Sequence, residues 1–341
     1  MVQPASTYRA VQAVSKGKLE LVQKPLTEPP AGHVRMRVEA CGVCHSDVGT
    51  VEGIGLQIQW PRVPGHEAFG RIDVVGEGVE GWVVGQRVGV GFLNGSCGHC
   101  QYCRDGDLVS CINQGYTGVQ RDGGYAEVMI AKASGLIAVP DGLSSVNAAP
   151  LLCAGLTTFS ALRNSPARAG DLVAVFGVGG LGHLGVQYAR QMGFEVVAIN
   201  RGRERAELSK KLGAHHYIDS SATDVAKALQ ELGGVQVVLA TASGGKAVAA
   251  ALGGLRRGGV VISLGATDEP IELSAYELLF NQLAVAGALT GTPAAGDATL
   301  KFSAMSDVAA MIETMPLEQA AEAYARMVSG KARFRMVLTM A

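Results

Sequence analysis

Leu172-Val-Ala-Val-Phe176 is an unbroken apolar run of strand length, and it ends directly on Gly177-Val178-Gly179-Gly180-Leu181-Gly182, which opens a helical pattern reaching to about Met192. No other stretch constrains the fold as tightly. A strand that is apolar on both faces must be covered on both faces, as in a parallel sheet sandwiched between helices. The glycines allow a tight turn and let the backbone approach a ligand closely. The helix start adds free N–H groups and a positive dipole end, which favour an anion. Strand, G-x-G-x-x-G and helix, in that order, are the setting of a dinucleotide pyrophosphate site, with Gly177, Gly179, Gly180, Leu181 and Gly182 as its backbone. A glycine-rich turn without a ligand would carry the same local pattern.

The alternation continues on the C-terminal side. Strand-like runs at 196–199, 217–218, 235–239, 259–264 and 284–286 are interleaved with helix-like runs at 203–212, 222–232, 246–252 and 275–280. The fold class is therefore α/β, with a doubly wound parallel sheet. The preceding residues have another character. Runs at 8–14, 19–22, 34–38, 70–75, 87–90, 125–130 and 135–139 are short, β-like and separated by Gly- and Pro-rich turns such as Asp122-Gly123-Gly124. Residues 148–162, with Cys153 among them, read as an apolar helix. Near the end, 316–328 reads as a helix and 335–338 as a strand, which suits a return to the first domain.

The end of the second strand bears on the choice of dinucleotide. A carboxylate there would bind a ribose 2′-OH, but the sequence is Asn200-Arg201-Gly202-Arg203-Glu204-Arg205. Arginines welcome a 2′-phosphate that Asp would repel, so Asn200, Arg201 and Arg205 favour NADP over NAD. Ordinary solvated arginines at a helix start are the alternative.

Four of the seven cysteines lie at Cys97, Cys100, Cys103 and Cys111. Two C-x2-C steps and one longer step bring four thiolates to a point, as tetrahedral zinc requires, with no coordination position left open. Such a site staples a lobe and does no chemistry; a disulfide pair or chance cysteines in a loop are the alternatives. The odd cysteine count, clustered at metal spacing, fits reduced thiols in the cytoplasm better than a secreted disulfide framework. The net charge of −1 counts against a nucleic-acid or membrane-surface partner. No apolar run reaches about 18 residues, and the N-terminal residues lack the layout of a signal peptide.

Taken together with Cys44-His45-Ser46-Asp47 and Gly65-His66-Glu67, these motifs make the chain resemble, over nearly its whole length, the zinc-dependent alcohol dehydrogenases of the medium-chain dehydrogenase/reductase family. The resemblance implies a GroES-like β-rich catalytic domain over residues 1–150, with a structural-zinc lobe at about 95–112. It implies a Rossmann coenzyme domain over 151–287 and a return segment over 288–341. It implies two zinc ions per chain, NAD or NADP, a small-molecule alcohol or aldehyde as substrate, and a homotetramer.

The resemblance also assigns residues. Cys44, His66 and Cys153 match the ligands of a catalytic zinc, and Glu67 an acid behind the metal that can approach it. Cys97, Cys100, Cys103 and Cys111 match the structural zinc. Asp47 matches the carboxylate that orients the histidine ligand, and Ser46 the hydroxyl that relays a proton. His45 and Arg335 match contacts to the cofactor pyrophosphate, and Thr157 a residue near the nicotinamide. Two thiolates and an imidazole do cancel the zinc charge and leave one position open. His33, His99, His183, His215 and His216 read as surface or structural residues, and Cys41 as a buried free thiol.

Two departures stand out. Many relatives end the proton relay on a histidine where this chain has Gly49, followed by Thr50. The run Phe92–Cys97 resembles that of yeast-type relatives, in which a tryptophan narrows the pocket at the position of Phe92 and a second one near that of Gly55. With Ser46, Phe92 and Gly55 around it, the pocket is expected to be wider and to take longer aliphatic or aromatic primary alcohols. A cinnamyl-alcohol-type or polyol dehydrogenase of the same family is the alternative. Outside enzymes of this kind stand a zinc-ribbon nucleic-acid binder and a nucleotide sensor without catalysis. The near-absence of basic residues around Cys97–Cys111 opposes the first, and the intact Cys44, His66 and Cys153 oppose the second.

Overall fold

The computed structural model describes residues 6–55, 57–241 and 244–340. They fall into two compact units. One combines the residues up to Leu156 with those from Gly291 on, and the other is Thr157–Thr290. The crossing lies between Leu156 and Thr157, so Cys153 falls in the first unit.

The first unit begins with the antiparallel hairpin β1 (Thr7–Ser15) and β2 (Lys18–Pro25), turned by Gly17 at φ 72°. There follow β3 (His33–Val43), α1 (Asp47–Glu52), β4 (Ala68–Val75), β5 (Arg87–Val90), α2 (Gln101–Arg104), β6 (Val128–Lys132), β7 (Leu136–Ala138) and α3 (Ser145–Ala148). α4 (Ala154–Arg163) leads into the second unit. There, β8 (Leu172–Phe176), α5 (Gly182–Gln191), β9 (Glu195–Asn200), α6 (Ala206–Lys211), β10 (His216–Asp219), α7 (Val225–Glu231), β11 (Val235–Ala240), α8 (Gly245–Leu252), β12 (Leu255–Ser263), α9 (Ala275–Asn281) and β13 (Ala284–Gly287) alternate as expected. The chain then returns to the first unit with α10 (Pro293–Ser306), β14 (Ile312–Pro316), α11 (Ala320–Val328) and β15 (Arg335–Thr339).

The second unit is a six-stranded sheet in the order β10-β9-β8-β11-β12-β13, with every neighbouring pair parallel. All five residues of β8 are buried. The chain runs outward from β8 to β9 and β10, then returns to the other side of β8 at β11. The reversal opens a crevice at the C-terminal end of β8, where ligands bind in sheets of this type.

The first unit is a seven-stranded sheet in the order β14-β15-β3-β4-β5-β7, with β6 also pairing with β3. It is antiparallel except for the parallel pair β14–β15. β3 runs on to Val43, further than the expected 34–38, because β15 pairs with residues Ala40–Val43. That contact is invisible in the local pattern. Fully buried Met36, Phe69, Ile72 and Tyr125 sit in this unit's core, each large apolar side chain contributing about 1.5–3 kcal/mol on burial.

Several expected elements differ. The helix expected over 148–162 is broken: a 3-10 turn at Ala149–Leu152 gives way at Cys153, with φ −128° and ψ −72°, before α4 begins. The run at 125–130 becomes a strand only from Val128, since Tyr125 belongs to a loop. Residues 133–135 form a 3-10 turn ahead of β7. The helix expected from 203 starts at Ala206, which leaves Arg201 and Arg203 in an exposed loop. The helix expected from 316 starts at Ala320 because Pro316 ends β14. α10 has no counterpart among the expected elements. Its buried face is Gly296, Thr299, Leu300 and Ser303, too small and polar to register as an apolar stripe. A Cβ at Gly296 would come 2.6 Å from Ile137 Cδ1, so the helix packs at close range. Among the described residues, no single helix is long and apolar enough to cross a membrane.

Candidate metal centre and nucleotide site

In the first unit, β3 ends at Val43 and delivers Cys44 to the turn before α1. The segment entering β4 delivers His66 and Glu67, and the helix break delivers Cys153. One ligand atom from each of Cys44, His66, Glu67 and Cys153 lies within 4.8 Å of the others. The sulfurs of Cys44 and Cys153 are 3.9 Å apart, close to the edge of about 3.8 Å in a tetrahedron with metal–sulfur bonds of about 2.3 Å. A continuous helix through Cys153 would commit its backbone to another direction, and the break frees it to aim the thiol at the cluster.

Asp47 holds this geometry. It is 2% exposed, and its carboxylate accepts four hydrogen bonds. Oδ1 receives His66 Nδ1 at 3.0 Å and the Gly65 N–H at 3.2 Å, while Oδ2 receives the Cys44 N–H at 2.9 Å and the Tyr125 hydroxyl at 3.0 Å. With Nδ1 donating to Asp47, the tautomer is set and Nε2 is the acceptor. That Nε2 is buried and has no hydrogen-bond partner, and a buried polar atom in this state is costly unless a metal or donor meets it. The electrostatics agree. The shared Cys153 proton, working against burial, brings the Cys44 thiol well below its ordinary value, while the same hydrogen bond and burial push Cys153 well above it. Burial lowers the proton affinity of His66, but the Asp47 and Cys44 charges outweigh it and raise its pKa well above the usual value. The cluster thus draws positive charge, carried by protons at the place a cation would take, and two thiols with an imidazole are a donor set that fits a metal ion.

Glu67 is fully buried and ion-paired with the guanidinium of Arg335, itself 4% exposed. Burial pushes the Glu67 carboxyl up to about 7, with Arg335 pulling the other way. Its Oε2 lacks a partner. A Cβ at position 42 would fall 1.8 Å from that oxygen, so Gly42 makes room for it. Arg335, expected at a pyrophosphate, is spent here on Glu67.

His45 and Ser46 are exposed, and Ser46 Oγ lies 3.8 Å from Cys44 Sγ. Thr50 is buried, with its hydroxyl donating to Gly118 O at 2.7 Å. Phe92 meets the His66 ring edge-on at 5.2 Å and stacks on Tyr116 at 4.8 Å. Gly55 lies in an exposed loop where a Cβ would meet nothing within 4 Å. Tyr116 and Tyr125 were not singled out in the sequence. Tyr116 has no motif to mark it, and the partner of Tyr125 is 78 residues away.

The ligand atoms of Cys97, Cys100, Cys103 and Cys111 also converge within 4.8 Å, and all four thiols are free. Hydrogen bonds from Asn113 and the His99 backbone pull Cys97 down to about 5, whereas burial and its sulfur neighbours push Cys103 up to about 11. The thiols compete for ionisation, a competition that a dication removes. Lys132 ties the lobe down, its Nζ donating to Ser96 O at 2.6 Å and its N–H to Asn94 Oδ1 at 3.2 Å.

In the second unit the glycine loop leaves β8 as a cradle. Gly177 has φ 99°. A Cβ at position 182 would lie 1.8 Å from Gly177 O, whereas one at position 179 would meet nothing within 4 Å. Gly182 is thus required by the turn itself, and Gly179 leaves open space for a ligand. Asn200, closing β9, accepts the Val178 N–H at 3.2 Å, and Arg205 donates to Val178 O. Arg201 is exposed beside them, and Thr157 is buried at 4%. The cradle fits a dinucleotide phosphate.

A buried Cys-His-Cys cluster fit for a metal in one unit and a glycine cradle fit for a dinucleotide in the other are the pairing that a metal-dependent oxidoreductase would need. Residues 30–141 match the alcohol dehydrogenase GroES-like domain, and residues 180–313 match the zinc-binding dehydrogenase family. The chain is 40% identical to alcohol dehydrogenase notN of Aspergillus sp. (strain MF297-2), with 99% of each chain covered. It is 39% identical to an alcohol dehydrogenase of Geobacillus stearothermophilus, covering 95% of this chain and 98% of that one. Among solved structures, an NAD-dependent alcohol dehydrogenase superposes with a TM-score of 0.89 at 26% identity, covering 98% of this chain and 100% of the other. The chain belongs to the zinc-type alcohol dehydrogenases of the medium-chain dehydrogenase/reductase family. The GroES-like and Rossmann pairing expected from the sequence is the fold observed.

Proposed function

We propose that this alcohol dehydrogenase interconverts longer aliphatic or aromatic primary alcohols and their aldehydes. The first unit would act as its catalytic domain and the second as its coenzyme domain. The observation that carries the reading is the partnerless Nε2 of His66 aimed at two thiols in a buried cluster. Cys44, His66 and Cys153 would hold a catalytic zinc, Glu67 would stand behind it, and Cys97, Cys100, Cys103 and Cys111 would hold a structural one. When bound, zinc supplies a Lewis acid that lowers the pKa of an alcohol, and the nicotinamide supplies a hydride acceptor.

The chain's own residues do the rest. Asp47 fixes the His66 tautomer, and Phe92 and Tyr116 form an apolar wall beside the imidazole. Ser46, exposed and next to Cys44, takes the alcohol proton. Thr50 is committed to Gly118 O and Gly49 has no side chain, so Ser46 passes the proton to water. Gly177, Gly179, Gly180, Leu181 and Gly182 would cradle the pyrophosphate, His45 would contact it, and Thr157 would line the nicotinamide end, while Arg335 stays paired with Glu67. Asn200, Arg201 and Arg205 support NADP over NAD. Steady-state turnover of ethanol through benzyl alcohol with each cofactor, together with a zinc count, tests the reading. Two zincs and a rise in kcat/KM toward benzyl alcohol are expected; a steep preference for ethanol would sink the wide pocket.

Self-association is part of the same proposal. β13 is an edge strand, and Tyr276, Leu279, Phe280 and Leu289 are exposed in the same unit, which supports an oligomer such as the homotetramer. Light scattering measures it. The seven free thiols support a reducing cytoplasm as its location.

A further inference from the structure

Tyr125 does something that no motif in the chain announces. Its ring is wholly buried, at 0% exposure, and its hydroxyl donates to Asp47 Oδ2 at 3.0 Å. A carboxylate offers about four acceptor sites, and all four on Asp47 are filled. Three of the donors, the Cys44 N–H, the Gly65 N–H and His66 Nδ1, come from the ligand segments themselves. Those segments end on the very groups that Asp47 is meant to orient, so they cannot serve as an outside reference. Tyr125 is the fourth donor and comes from a separate loop.

That loop is held from outside the ligand segments by β1, whose Val11 N–H donates to Tyr125 O at 2.8 Å, and it is also tied to the chain just ahead of His66. Gly123 N–H donates to Val63 O at 2.8 Å, Gly124 N–H to Gly65 O at 2.8 Å and Tyr125 N–H to Pro64 O at 3.1 Å. Asp122 fastens the other side, accepting from Arg62 Nη1 at 2.9 Å, the Val63 N–H at 3.2 Å and Lys24 Nζ at 2.6 Å. The glycines are obligatory. A Cβ at Gly65 would lie 2.4 Å from Tyr125 Cδ1, one at Gly123 2.2 Å from Gly65 O, and one at Gly124 2.5 Å from Ala68 Cβ. The Tyr125 O–H therefore points from a fixed backbone, against a ring with no freedom, at one oxygen of a carboxylate buried away from any Lys or Arg partner among the described residues.

We propose that Tyr125 is a positioning residue for the zinc bound by Cys44, His66 and Cys153: its hydroxyl fixes the rotation of the Asp47 carboxylate, and through it the direction of His66 Nε2. The proposal rests on the zinc reading of that cluster. Losing the partner that orients a metal-bound histidine costs about 10–100-fold in metal affinity, and Tyr125 acts on that partner, Asp47. The test is Tyr125→Phe, which removes the hydroxyl and keeps the ring. Zinc loss from the purified, zinc-loaded protein is followed with a chromogenic chelator, and the visible spectrum is recorded after cobalt replacement.

The expected result is that one of two zinc equivalents leaves at least about tenfold faster, with an altered cobalt spectrum, while the second equivalent and the thermal midpoint stay as in the parent. In an Asp47→Asn background the same change should have no further effect, since the hydroxyl acts only through that carboxylate. Unchanged zinc loss and cobalt spectrum in Tyr125→Phe overturn the proposal. So does a lowered thermal midpoint with unchanged zinc loss, or failure to fold, because either makes the hydroxyl a packing element. If the parent itself binds a single zinc, at the four-cysteine lobe, the cluster reading has failed rather than the role of Tyr125.

Discussion

Both candidate metal clusters lie in the same unit, and they are built in opposite ways. Cys97, Cys100, Cys103 and Cys111 come from one lobe of fifteen positions, whose only helix is the short α2 and which contributes little to the sheet. Cys44, His66 and Cys153 come from the end of β3, the entry to β4 and a broken helix, and they are held by the sheet's own hydrogen bonds and by Asp47. A contiguous cluster needs its metal to have a shape. A dispersed cluster has its shape from the fold, so a metal held there would be free to do chemistry.

Substitutions should separate the two. The largest effect is expected from Cys44→Ala, a folded protein with unchanged far-UV circular dichroism and turnover down by at least about 10³-fold, since Lewis-acid stabilisation is worth several kcal/mol. Turnover within tenfold of the parent would break the comparison. Cys103→Ala should do the reverse: loss of a structural metal ranks with the changes that cost about 4 kcal/mol or more, so yield and thermal midpoint fall before activity per folded molecule does. A full thermal midpoint with that zinc gone would remove the staple.

Gly182→Ala should weaken binding of either cofactor by tenfold or more in a fluorescence titration, because its Cβ would collide with Gly177 O; Gly179→Ala, facing open space, should cost less. The smallest effect belongs to Asp122. Burial would raise its pKa, but Lys24 and Arg62 win and hold it below the usual value. A depressed folded pKa contributes stability above the unfolded value of about 3.9 and loses it as pH falls through the folded one. Urea midpoints measured from pH 6 downward should therefore drop less steeply below about pH 4 for Asp122→Asn than for the parent.

What the sequence displays follows the same division. β5 and β8 lie where their patterns place them, because an apolar run between turn residues is a local statement. The four-cysteine spacing is local too. Cys153 is local only in type: Pro150 marks a helix boundary just upstream, but nothing in residues 148–162 says that the chain must turn again at Cys153, whose partner thiol lies 109 positions earlier. α10 hides for another reason, its contact face being built from Gly, Thr and Ser. Tyr125 reads as one more apolar residue after a Gly-Gly turn until its hydroxyl is seen against Asp47.

The pairing of β15 with β3 has a consequence for how the chain is made. Residues Ala40–Val43 leave the ribosome well before their partners Met336–Thr339. Between them the whole of Thr157–Thr290 is synthesised, and that unit is contiguous. The nascent first unit must wait with the Ala40–Val43 end of β3 lacking β15, beside the turn that carries Cys44, while the second unit has all its own strands to hand. Metal capture at Cys44 and His66 is thus expected to be completed only after the second unit has been made and β15 has docked.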